Sequence, residues 1–513
     1  MKIIIIMVAK IKTFVFSGVK AIDVNVEVKL SSGMVAFNIV GLPDKAVNES
    51  KERVRSAINS MNLSFPARRI TVNLTPADIE KEGTFLDLPI AVGILQEMGV
   101  ISEDAVRDFA VMGELSLDGH INYVNGVLPA TMAASERNLG IICPEENGPE
   151  ALWVGDNIEI LAPQDLISLV NHLKGTQVLN RPKFKKELTK PNYPDLEDVI
   201  GQEQAKRALE ITAGGGHNLL MIGPPGTGKS MLAKRLPSIL PDLTLEEILE
   251  INMINSIAGN TKNGELITYR PFMDPHHSCS MPAMVGGGTK AKPGQVSMAH
   301  KGVLFLDELP EFSRQVLDSL RQPLENKEIS IARAHTTNTF PADFQLVAAM
   351  NPCRCGYLMD KKKKCPRAPL CAKEYQAKIS GPLLDRIDIC IEVPQIDIFA
   401  ESKRKDIKNE TSEEVKKRVI KARKIQFERY KGTSNKAFTN ANASADLIKE
   451  FMHLTPENEE IIQKAVKFYG LSMRAYNKIL KVARTIADLE NHEEISKDNL
   501  LEALRYRKSI SIV

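Results

Sequence analysis

The segment "GPPGTGKS", residues 223–230, has the residue types and spacing of a phosphate-binding loop. It follows the apolar run "NLLMI" and precedes "MLAKRL", a pattern that predicts a strand, a turn and a helix. In such a loop, glycines let backbone N–H groups face phosphates at a helix N-terminus. The expected nucleotide-binding residues here are Gly223, Pro224, Pro225, Gly226, Thr227, Gly228, Lys229, Ser230 and Met231. Lys229 should reach the β- and γ-phosphates, and the hydroxyl of Ser230 should ligate Mg²⁺.

Two later segments carry side chains suited to splitting the nucleotide. "GVLFLDELPEF" predicts a buried strand that ends in Asp307 and Glu308. Parallel strands present their last residues to the ligand crevice, so Asp307 should hold Mg²⁺ and Glu308 should orient and deprotonate a water. "FQLVAAMNP" places Asn351 at another strand tip, where its amide could lie between that water and the γ-phosphate. The implied reaction is ATP hydrolysis.

The elements that must position these groups divide the 513-residue chain into α/β and helical regions. Residues 1–173 alternate strands and helices, and residues 174–195 combine prolines and lysines without an apolar period, which predicts a linker. Residues 196–396 form a second α/β region around the phosphate motif, and residues 397–513 are helical in pattern. We therefore expect a multidomain α/β protein with a helical carboxyl-terminal region.

Composition excludes few functions. A formal net charge of +3 neither demands nor excludes a nucleic-acid partner. The opening "MKIIIIMVAK" is interpreted as a first strand and not as a signal peptide, and no apolar run approaches the roughly 20 residues of a membrane span. We expect a cytoplasmic protein with no membrane partner.

Three further segments resemble parts of AAA+ ATPases, in which Asn351 would be sensor 1. "SGPLLDRIDICIEV" is similar to the segment that offers an arginine finger, here Arg386, to the neighbouring subunit. "GLSMRAYNKILKVARTIADL" resembles the lid segment that carries the sensor-2 arginine, here Arg474. "EDVIGQEQAKRALEIT" resembles the adenine-side segment, where Val199 and Ile200 would contact the base. The resemblance implies a parallel-sheet P-loop core with a helical lid.

Simpler interpretations of the two arginines stay open. Arg386 could form an ion pair within the chain, with Asp385 or Asp388. Arg474 could be a surface arginine. If Arg386 acts on a neighbouring subunit, the active form is a ring.

The segments "RPFMDPHHSCSMPAMVGGG", "PGQVSMAHKGVLFLDELPEF", "LRQPLE" and "NPCRCG" together resemble the magnesium-chelatase-like AAA+ ATPases of the YifB/ComM type. The resemblance covers nearly the whole chain. It implies a hexameric, ATP- and Mg²⁺-dependent motor that moves branched or single-stranded DNA during recombination in natural transformation. No motif for recognition of a base sequence is present and aromatic residues are only 5% of the chain, so we expect DNA contacts through backbone phosphates without base-sequence specificity. A chelatase-like or chaperone-like ATPase that remodels a protein partner is the alternative.

In such rings, inserted hairpins and loops face the central pore. By resemblance, the loop at His276 and His277 and the segment "VGGGTKAKPG" are candidates for pore or inter-subunit positions. Ordinary packing or capping by the histidines is equally compatible with the sequence, because adjacent residues of an extended chain point to opposite sides.

The amino-terminal region carries a second resemblance. "PADIEKEGTFLDLPIAVGIL" and "VMGELSLDGHINYVNGVLPATMAA" are similar to the proteolytic domain of Lon, which has the ribosomal S5 domain 2-like fold. The places of the catalytic serine and lysine are taken by Phe85 and Leu128. Neither side chain can attack a carbonyl or take a proton. We expect a scaffold or DNA-contacting module, and a peptidase is the weakest interpretation.

Four of the seven cysteines cluster within residues 353–371: Cys353, Cys355, Cys365 and Cys371. Four thiolates at close spacing can close a tetrahedral structural Zn²⁺ site. In YifB/ComM-type relatives the cysteines often form two close pairs, whereas here the second pair is separated by five residues, which leaves Cys371 in question and free cysteines as the alternative. Lysines 361–364 could neutralise DNA phosphates or form a solvated loop.

Overall fold

The computed structural model of the chain describes residues 8–184, 193–261, 264–288, 291–332, 337–356, 358, 365–395, 409–433 and 438–508. These residues form an amino-terminal α/β part, a central part built on a parallel sheet, and a helical carboxyl-terminal part. The predicted α/β core with a helical carboxyl-terminal region is confirmed. Residues 1–7, lysines 361–364 and residues 396–408 lie outside the described ranges, and so do the tips of two hairpins.

The amino-terminal part contains one large mixed sheet and the helices packed on it. Its strands are β1 (Ala9–Ser17), β2 (Lys20–Ser31), β3 (Ala36–Val40), β4 (Arg69–Thr75), β5 (Phe109–Val111), β6 (Glu114–Leu115), β7 (Ile121–Asn122), β8 (Gly140–Ile142) and β9 (Ile160–Leu161). Its helices are α1 (Lys45–Ser60), α2 (Asp87–Glu97), α3 (Val127–Glu136), α4 (Gly148–Ala151) and α5 (Leu166–Leu173), with 3-10 turns at Thr84–Leu86, Glu145–Asn147 and Leu152–Val154. The sheet order is β3-β4-β2-β1-β5-β8-β9.

The alternation in "VNVEVKL" places Val24, Val26 and Val28 of β2 in the core, since side chains one residue apart point to opposite faces. Helix α2 is buried along most of its length and packs on β1 and β2. Leu128 is fully buried, and Phe85 packs edge-on against Phe16 with ring centroids 6.0 Å apart. Both side chains therefore act as packing residues.

The central part is a parallel sheet covered by helices. Its strands are β10 (Leu219–Ile222), β11 (Phe272–Met273), β12 (Gly286–Gly287), β13 (Lys292–Pro293), β14 (Val303–Leu306), β15 (Glu328–Ala332), β16 (Thr337–Pro341), β17 (Gln345–Met350) and β18 (Ile389–Glu392). Its helices are α6 (Glu203–Gly215), α7 (Lys229–Ala233), α8 (Leu236–Ile239), α9 (Leu245–Ala258), α10 (Met281–Val285), α11 (Gln295–Met298), α12 (Arg314–Ser319), α13 (Arg321–Asn326), α14 (Leu370–Gln376) and α15 (Gly381–Leu384), with 3-10 turns at Leu196–Asp198 and Leu309–Glu311.

Five described strands form this sheet in the order β11-β14-β17-β10-β18, and all neighbours are parallel. Strands β10 and β14 are buried along their whole length because helices cover both faces. Two hairpins, β12–β13 and β15–β16, stand apart from the sheet, and the second directly precedes β17.

All the regular elements described in the carboxyl-terminal part are helical. Its helices are α16 (Ser412–Tyr430), α17 (Ala445–Phe451), α18 (Pro456–Tyr469), α19 (Met473–Leu489) and α20 (Lys497–Lys508), with a 3-10 turn at Asn440–Asn442. Helices α16 and α19 pack on α6, and a single apolar core joins these helices to the central sheet. None of the helices within the described ranges is long and apolar enough to cross a membrane.

Among the described residues, hydrogen bonds join the amino-terminal part to the central part in two regions. At the β1–β2 turn, Ser17 Oγ donates to the carbonyl oxygen of Thr337, 3.2 Å away. At the end of α9, the N–H of Gly126 donates to Ser256 O at 3.2 Å, and the indole N–H of Trp153 donates to Gly264 O at 3.3 Å. The carboxyl end of the predicted linker is also anchored, because Asp195 Oδ1 accepts the N–H of Ser412 at 2.9 Å.

Candidate nucleotide-binding site

The carboxyl ends of the parallel strands bring the predicted site residues to one edge of the sheet. Strand β10 runs into the glycine loop, β14 ends one residue before Asp307, and β17 ends one residue before Asn351. Ile222 at the end of β10 is in register with Met350 of β17 and Glu392 of β18. Because neighbouring parallel strands end side by side, these groups share one crevice.

The glycine loop has the shape of a phosphate cradle. Gly226 and Gly228 have φ angles of +76° and +87°, a left-handed conformation that glycine adopts without strain. A Cβ atom on Gly223 would overlap the carbonyl oxygen of Val393, whereas one on Gly226 would meet nothing within 4 Å. The loop is thus held close to β18 on one side and is open on the other. Helix α7 begins directly after it, with Gly228 at the N-cap.

Lys229 lies inside this loop. Its side chain is buried, and Nζ donates to the carbonyl oxygens of Gly223 at 2.8 Å and Pro224 at 2.9 Å. Nζ is also 3.4 Å from Oδ1 of Asn351. Burial lowers the pKa of Lys229, and the carboxylates of Asp307 and Glu308 oppose that shift. The ammonium group is therefore placed between the loop and the tip of β17.

Ser230 and Asp307 are in direct contact, with Oγ donating to Oδ2 at 2.6 Å. A hydroxyl and a carboxylate at this separation provide the oxygen ligands that Mg²⁺ prefers. The donor set thus fits Mg²⁺, and the open glycine loop beside it fits the phosphates of ATP.

Glu308 follows in a left-handed backbone conformation, with φ at +50°, and its N–H donates to Oδ1 of Asp307 at 2.9 Å. Nδ1 of His277 lies 3.6 Å from Oε2 of Glu308. Asp274, on the same loop as His277, has a pKa raised by burial, and the nearby Asp307 adds to the shift. Neither Asp274 nor His277 was assigned to the nucleotide site from the sequence.

The two histidines differ from the expectation for an extended chain. The rings of His276 and His277 lie 4.1 Å apart, tilted by 34°, and thus on the same side. The reason is a turn at this point, closed by the N–H of Cys279 donating to His276 O at 2.9 Å. His276 Nδ1 contacts Ser278 Oγ at 2.8 Å.

The segment predicted to contact the base is only partly accessible. Val199 is buried in the core, whereas Ile200 and Met231 are exposed. Gln202 joins this segment to the site, since its Nε2 donates to Pro394 O at 2.8 Å and Thr227 O at 3.3 Å. Gln202 could not be recognised from the sequence, because both of its acceptors are backbone carbonyls.

Arg386 and Arg474 lie at the opposite edge of the sheet. Both line a cleft of about 780 Å³ at the amino ends of the strands, together with Asn218 before β10 and Gln345 at the start of β17. The glycine loop follows the other end of β10. Within one chain, the two arginines and the phosphate cradle therefore occupy different edges.

Arg386 forms an ion pair within the chain, but its partner is neither Asp385 nor Asp388. Nη2 lies 2.6 Å from Oε1 of Glu325, and Nη1 donates to the carbonyl oxygen of Pro382 at 2.6 Å. The guanidinium is mostly covered by these groups.

Asp388 instead fastens the helical part to β18. Oδ1 lies 2.7 Å from Nζ of Lys478 on α19, and Oδ2 accepts the N–H of Asn218 at 3.0 Å. Burial raises the pKa of Asp388, but Lys478 and His217 outweigh this and hold the pKa well below its usual range. The helix that carries Arg474 is thus tied to the strand that follows Arg386.

The four clustered cysteines come together in space. Their Sγ atoms all lie within 4.8 Å of one another, and those of Cys353 and Cys355 are 3.3 Å apart. A tetrahedral ZnS₄ centre with Zn–S bonds of about 2.3 Å separates its sulfurs by about 3.8 Å. Cys353 and Cys365 are buried. The donor set is compatible with Zn²⁺ and includes Cys371, because α14 begins at Leu370 and turns that cysteine back toward the others.

Three family models match the chain. "Magnesium chelatase, subunit ChlI" matches residues 195–400, "Subunit ChlI of Mg-chelatase" residues 26–147, and "Magnesium chelatase, subunit ChlI C-terminal" residues 409–507. Together they span the amino-terminal, central and helical parts.

Curated relatives extend the match over nearly the whole length. The chain is 45% identical over 501 residues to competence protein ComM of Haemophilus influenzae, covering 97% of this chain and 96% of the relative. It is 42% identical over 490 residues to YifB of Escherichia coli, covering 96% and 95%. The magnesium-chelatase 38 kDa subunit of Rhodobacter capsulatus is 28% identical over 189 residues, 34% of this chain and 54% of the relative. The chain belongs to the magnesium-chelatase-like AAA+ ATPase family of the YifB/ComM type, whose cofactors are ATP and Mg²⁺.

Proposed function

We propose that this protein is a ring-forming ATPase, a homohexamer, that drives branch migration of branched or single-stranded DNA. The observation that supports assembly into a ring is the position of Arg386, at the sheet edge opposite the phosphate cradle. A guanidinium that stabilises a transferring phosphoryl group must lie next to that group. A neighbouring copy can provide this contact if subunits pack head to tail, which is the arrangement that closes into rings.

Each site residue then has a role in hydrolysis. Bound Mg²⁺ would neutralise charge on the phosphates and would be held by Ser230 and Asp307. Lys229 binds the β- and γ-phosphates from within the loop. Glu308 takes a proton from the attacking water, and Asn351 orients that water with its amide.

The two arginines act across the subunit boundary. Arg386 stabilises the charge that develops on the γ-phosphoryl group of the neighbouring site. Arg474 lines the same cleft, on a helix tied to β18 through Asp388 and Lys478, so we assign it to the same neighbouring nucleotide. On the adenine side, Ile200 is accessible to a base, and Val199 supports it from the core.

DNA as the substrate is supported by the relationship to a competence protein and by the hairpin β15–β16, which directly precedes β17. In a ring, a hairpin inserted before a strand of the ATP site can move at the pore when the nucleotide is hydrolysed. We propose that the contacts with DNA are made to backbone phosphates and carry no base specificity.

The remaining parts of the protein also have proposed roles. The amino-terminal part would serve as a scaffold, and the four-cysteine cluster would hold a structural Zn²⁺. The protein would work in the cytoplasm.

The deciding experiment is ATP-dependent strand displacement on a three-way DNA junction. Intact protein should move the branch, whereas Glu308→Gln should bind ATP and the junction but fail to displace the strand. Glu311→Gln is the matched control, since Glu311 is a nearby acidic residue that pairs with Lys378 and not with the magnesium ligands. A hydrolysing protein that leaves the junction intact would disprove the motor function.

The second candidate is an ATPase that remodels a protein partner, favoured by the match to magnesium-chelatase subunits. The ATP site is common to both functions. The rate of hydrolysis distinguishes them, because a DNA motor is stimulated by DNA and a chelatase-like remodeller is indifferent to it.

A further inference from the structure

The four-cysteine cluster lies directly against the phosphate cradle. Gly356, one residue after Cys355, has a φ of +80°. A Cβ atom at this position would lie 2.7 Å from Cδ and 2.9 Å from Cγ of Pro225 in the glycine loop. The backbone of the cysteine segment therefore touches the proline ring with no side chain between them.

The same segment is continuous with the tip of β17. Cys353 is two residues after Asn351, and the intervening Pro352 accepts a hydrogen bond from Nε2 of Gln376 at 3.0 Å. The N–H of Gly356 donates to Cys353 O at 2.9 Å, which closes a tight turn between the first two cysteines. A rigid cluster would thus fix both Asn351 and the ring of Pro225.

Helix α14 completes the support. Cys371 belongs to this helix, Ala372 packs on the cysteines, and Tyr375 is buried beside them. Burial raises the pKa of Tyr375, and the carboxylates of Glu311 and Glu308 add to the shift. The cluster is therefore joined to the ATP site by the contact of Gly356 with Pro225 and by the short chain from Asn351 to Cys353.

We propose that metal binding by Cys353, Cys355, Cys365 and Cys371 holds Gly356 against Pro225 and so sets the nucleotide affinity of the phosphate cradle. A Zn²⁺ ion held by all four thiolates would join cysteines that are up to 18 residues apart in sequence, and it would restrain the chain between them. Loss of the ion frees the turn at Gly356. This role rests on the proposed ATP site and is independent of whether DNA is the substrate.

The first test measures equilibrium binding of a fluorescent ATP analogue to full-length protein before and after zinc is stripped with a chelator. We expect Kd to rise about tenfold on stripping, which corresponds to a loss of about 1.4 kcal/mol of binding free energy. Added Zn²⁺ should restore the affinity, and added Mg²⁺ alone should not. Unchanged nucleotide affinity in protein that has lost its zinc and kept its circular dichroism would overturn the proposal.

The second test keeps the metal ligands intact. Gly356→Ala adds a methyl group against Pro225, whereas Gly432→Ala adds one at a similar φ of +87° with nothing within 4 Å. The backbone cost is matched, so only Gly356→Ala should weaken nucleotide binding. Equal affinities for the two variants would overturn the proposal, whatever their zinc content. Strand displacement is not the readout, so failure of the DNA function and failure of this inference are distinguishable.

Discussion

His277 Nδ1 lies 3.6 Å from Oε2 of Glu308, the residue that precedes the 3-10 turn after β14. Glu308 has an unusual left-handed backbone, and its side chain is 54% exposed. The histidine comes from the loop after β11, the neighbouring strand. An exposed carboxylate has many rotamers, so this contact restricts the direction in which Glu308 points.

We predict that His277→Ala lowers kcat for ATP hydrolysis about tenfold with little change in KM, because a misdirected carboxylate affects the chemical step more than ATP binding. Steady-state kinetics would measure both constants. His276→Ala is the matched control, since it removes a ring that packs on His277 and contacts Ser278 but leaves the pair of His277 with Glu308 in place. Equal losses of kcat in the two variants would show that the packing of the loop, and not the contact of His277 with Glu308, affects hydrolysis.

Mixing of two inactive variants tests the action of Arg386 on a neighbouring subunit. Arg386→Ala and Glu308→Gln should each lower hydrolysis by at least about 100-fold. In mixed rings, roughly a quarter of the interfaces combine an intact Glu308 with an intact Arg386, so a comparable share of activity should return. A mixture as inactive as its components would place the arginine and the base in one subunit.

Acid should weaken the contacts of Asp343. Burial raises the pKa of this carboxyl, but Lys327 and Lys301, each 3.0 Å away, outweigh it and hold the pKa at about 2. A carboxyl whose folded pKa is depressed stabilises the fold above its unfolded pKa, near 3.8, and loses that contribution as pH falls toward 2. Asp343→Asn should therefore cost about 1 to 2 kcal/mol at neutral pH.

Urea unfolding across this pH range would measure the effect. The difference between wild type and Asp343→Asn should shrink between about pH 4 and pH 2. Asp104→Asn is the control, because Asp104 is 85% exposed in its pair with Arg107 and should change stability little at any pH. A constant difference for Asp343→Asn would mean that the lysines do not act through its charge.

The contact between the amino-terminal and central parts predicts that alanine substitution at two glycines, Gly18 and Gly99, destabilises the protein to different extents. Gly18 and Gly99 have φ angles of +63° and +72°, so alanine at either should cost about 1 kcal/mol in backbone strain. A Cβ atom on Gly18 would also overlap the carbonyl group of Thr339, whereas one on Gly99 meets nothing within 4 Å. Gly18→Ala should therefore be clearly the more destabilising of the two.

Limited proteolysis at the linker, together with thermal unfolding, would detect this difference. Faster cleavage between the parts is expected for Gly18→Ala alone. Equal cleavage rates and melting temperatures for the two variants would mean that the β1–β2 turn changes its conformation to fit the methyl group and that the contact between the parts is kept.

The phosphate cradle could be predicted from the sequence because its determinants are local. The strand, the glycines and the helix follow one another, and Asp307 and Asn351 end strands whose apolar runs are unmistakable. Parallel pairing then brings these strand ends together. The same reasoning did not place His277 at the nucleotide site, since β11 has only two residues and leaves no periodic pattern.

Other contacts depend on tertiary packing and have no sequence signal. Arg386 pairs with Glu325, 61 positions earlier, and not with either of the two aspartates that lie near it in sequence. The contact of Gly356 with Pro225 likewise joins segments that are distant in the chain. The wide spacing of Cys365 and Cys371 left the fourth thiol in question, and a helix start that spacing does not reveal brings it into the cluster.

The glycines at the contact between the amino-terminal and central parts limit which segments can be exchanged between related proteins to make a chimera. A Cβ atom on Gly18 would overlap Thr339, one on Gly264 would lie 2.5 Å from Pro149, and one on Gly259 would lie 2.9 Å from Asn125. At each of these glycines the two parts approach so closely that an added side chain would have to displace atoms of the other part. A chimera that exchanges the amino-terminal part therefore has to exchange β16 and the end of α9 with it, because the two surfaces are compatible only as a set.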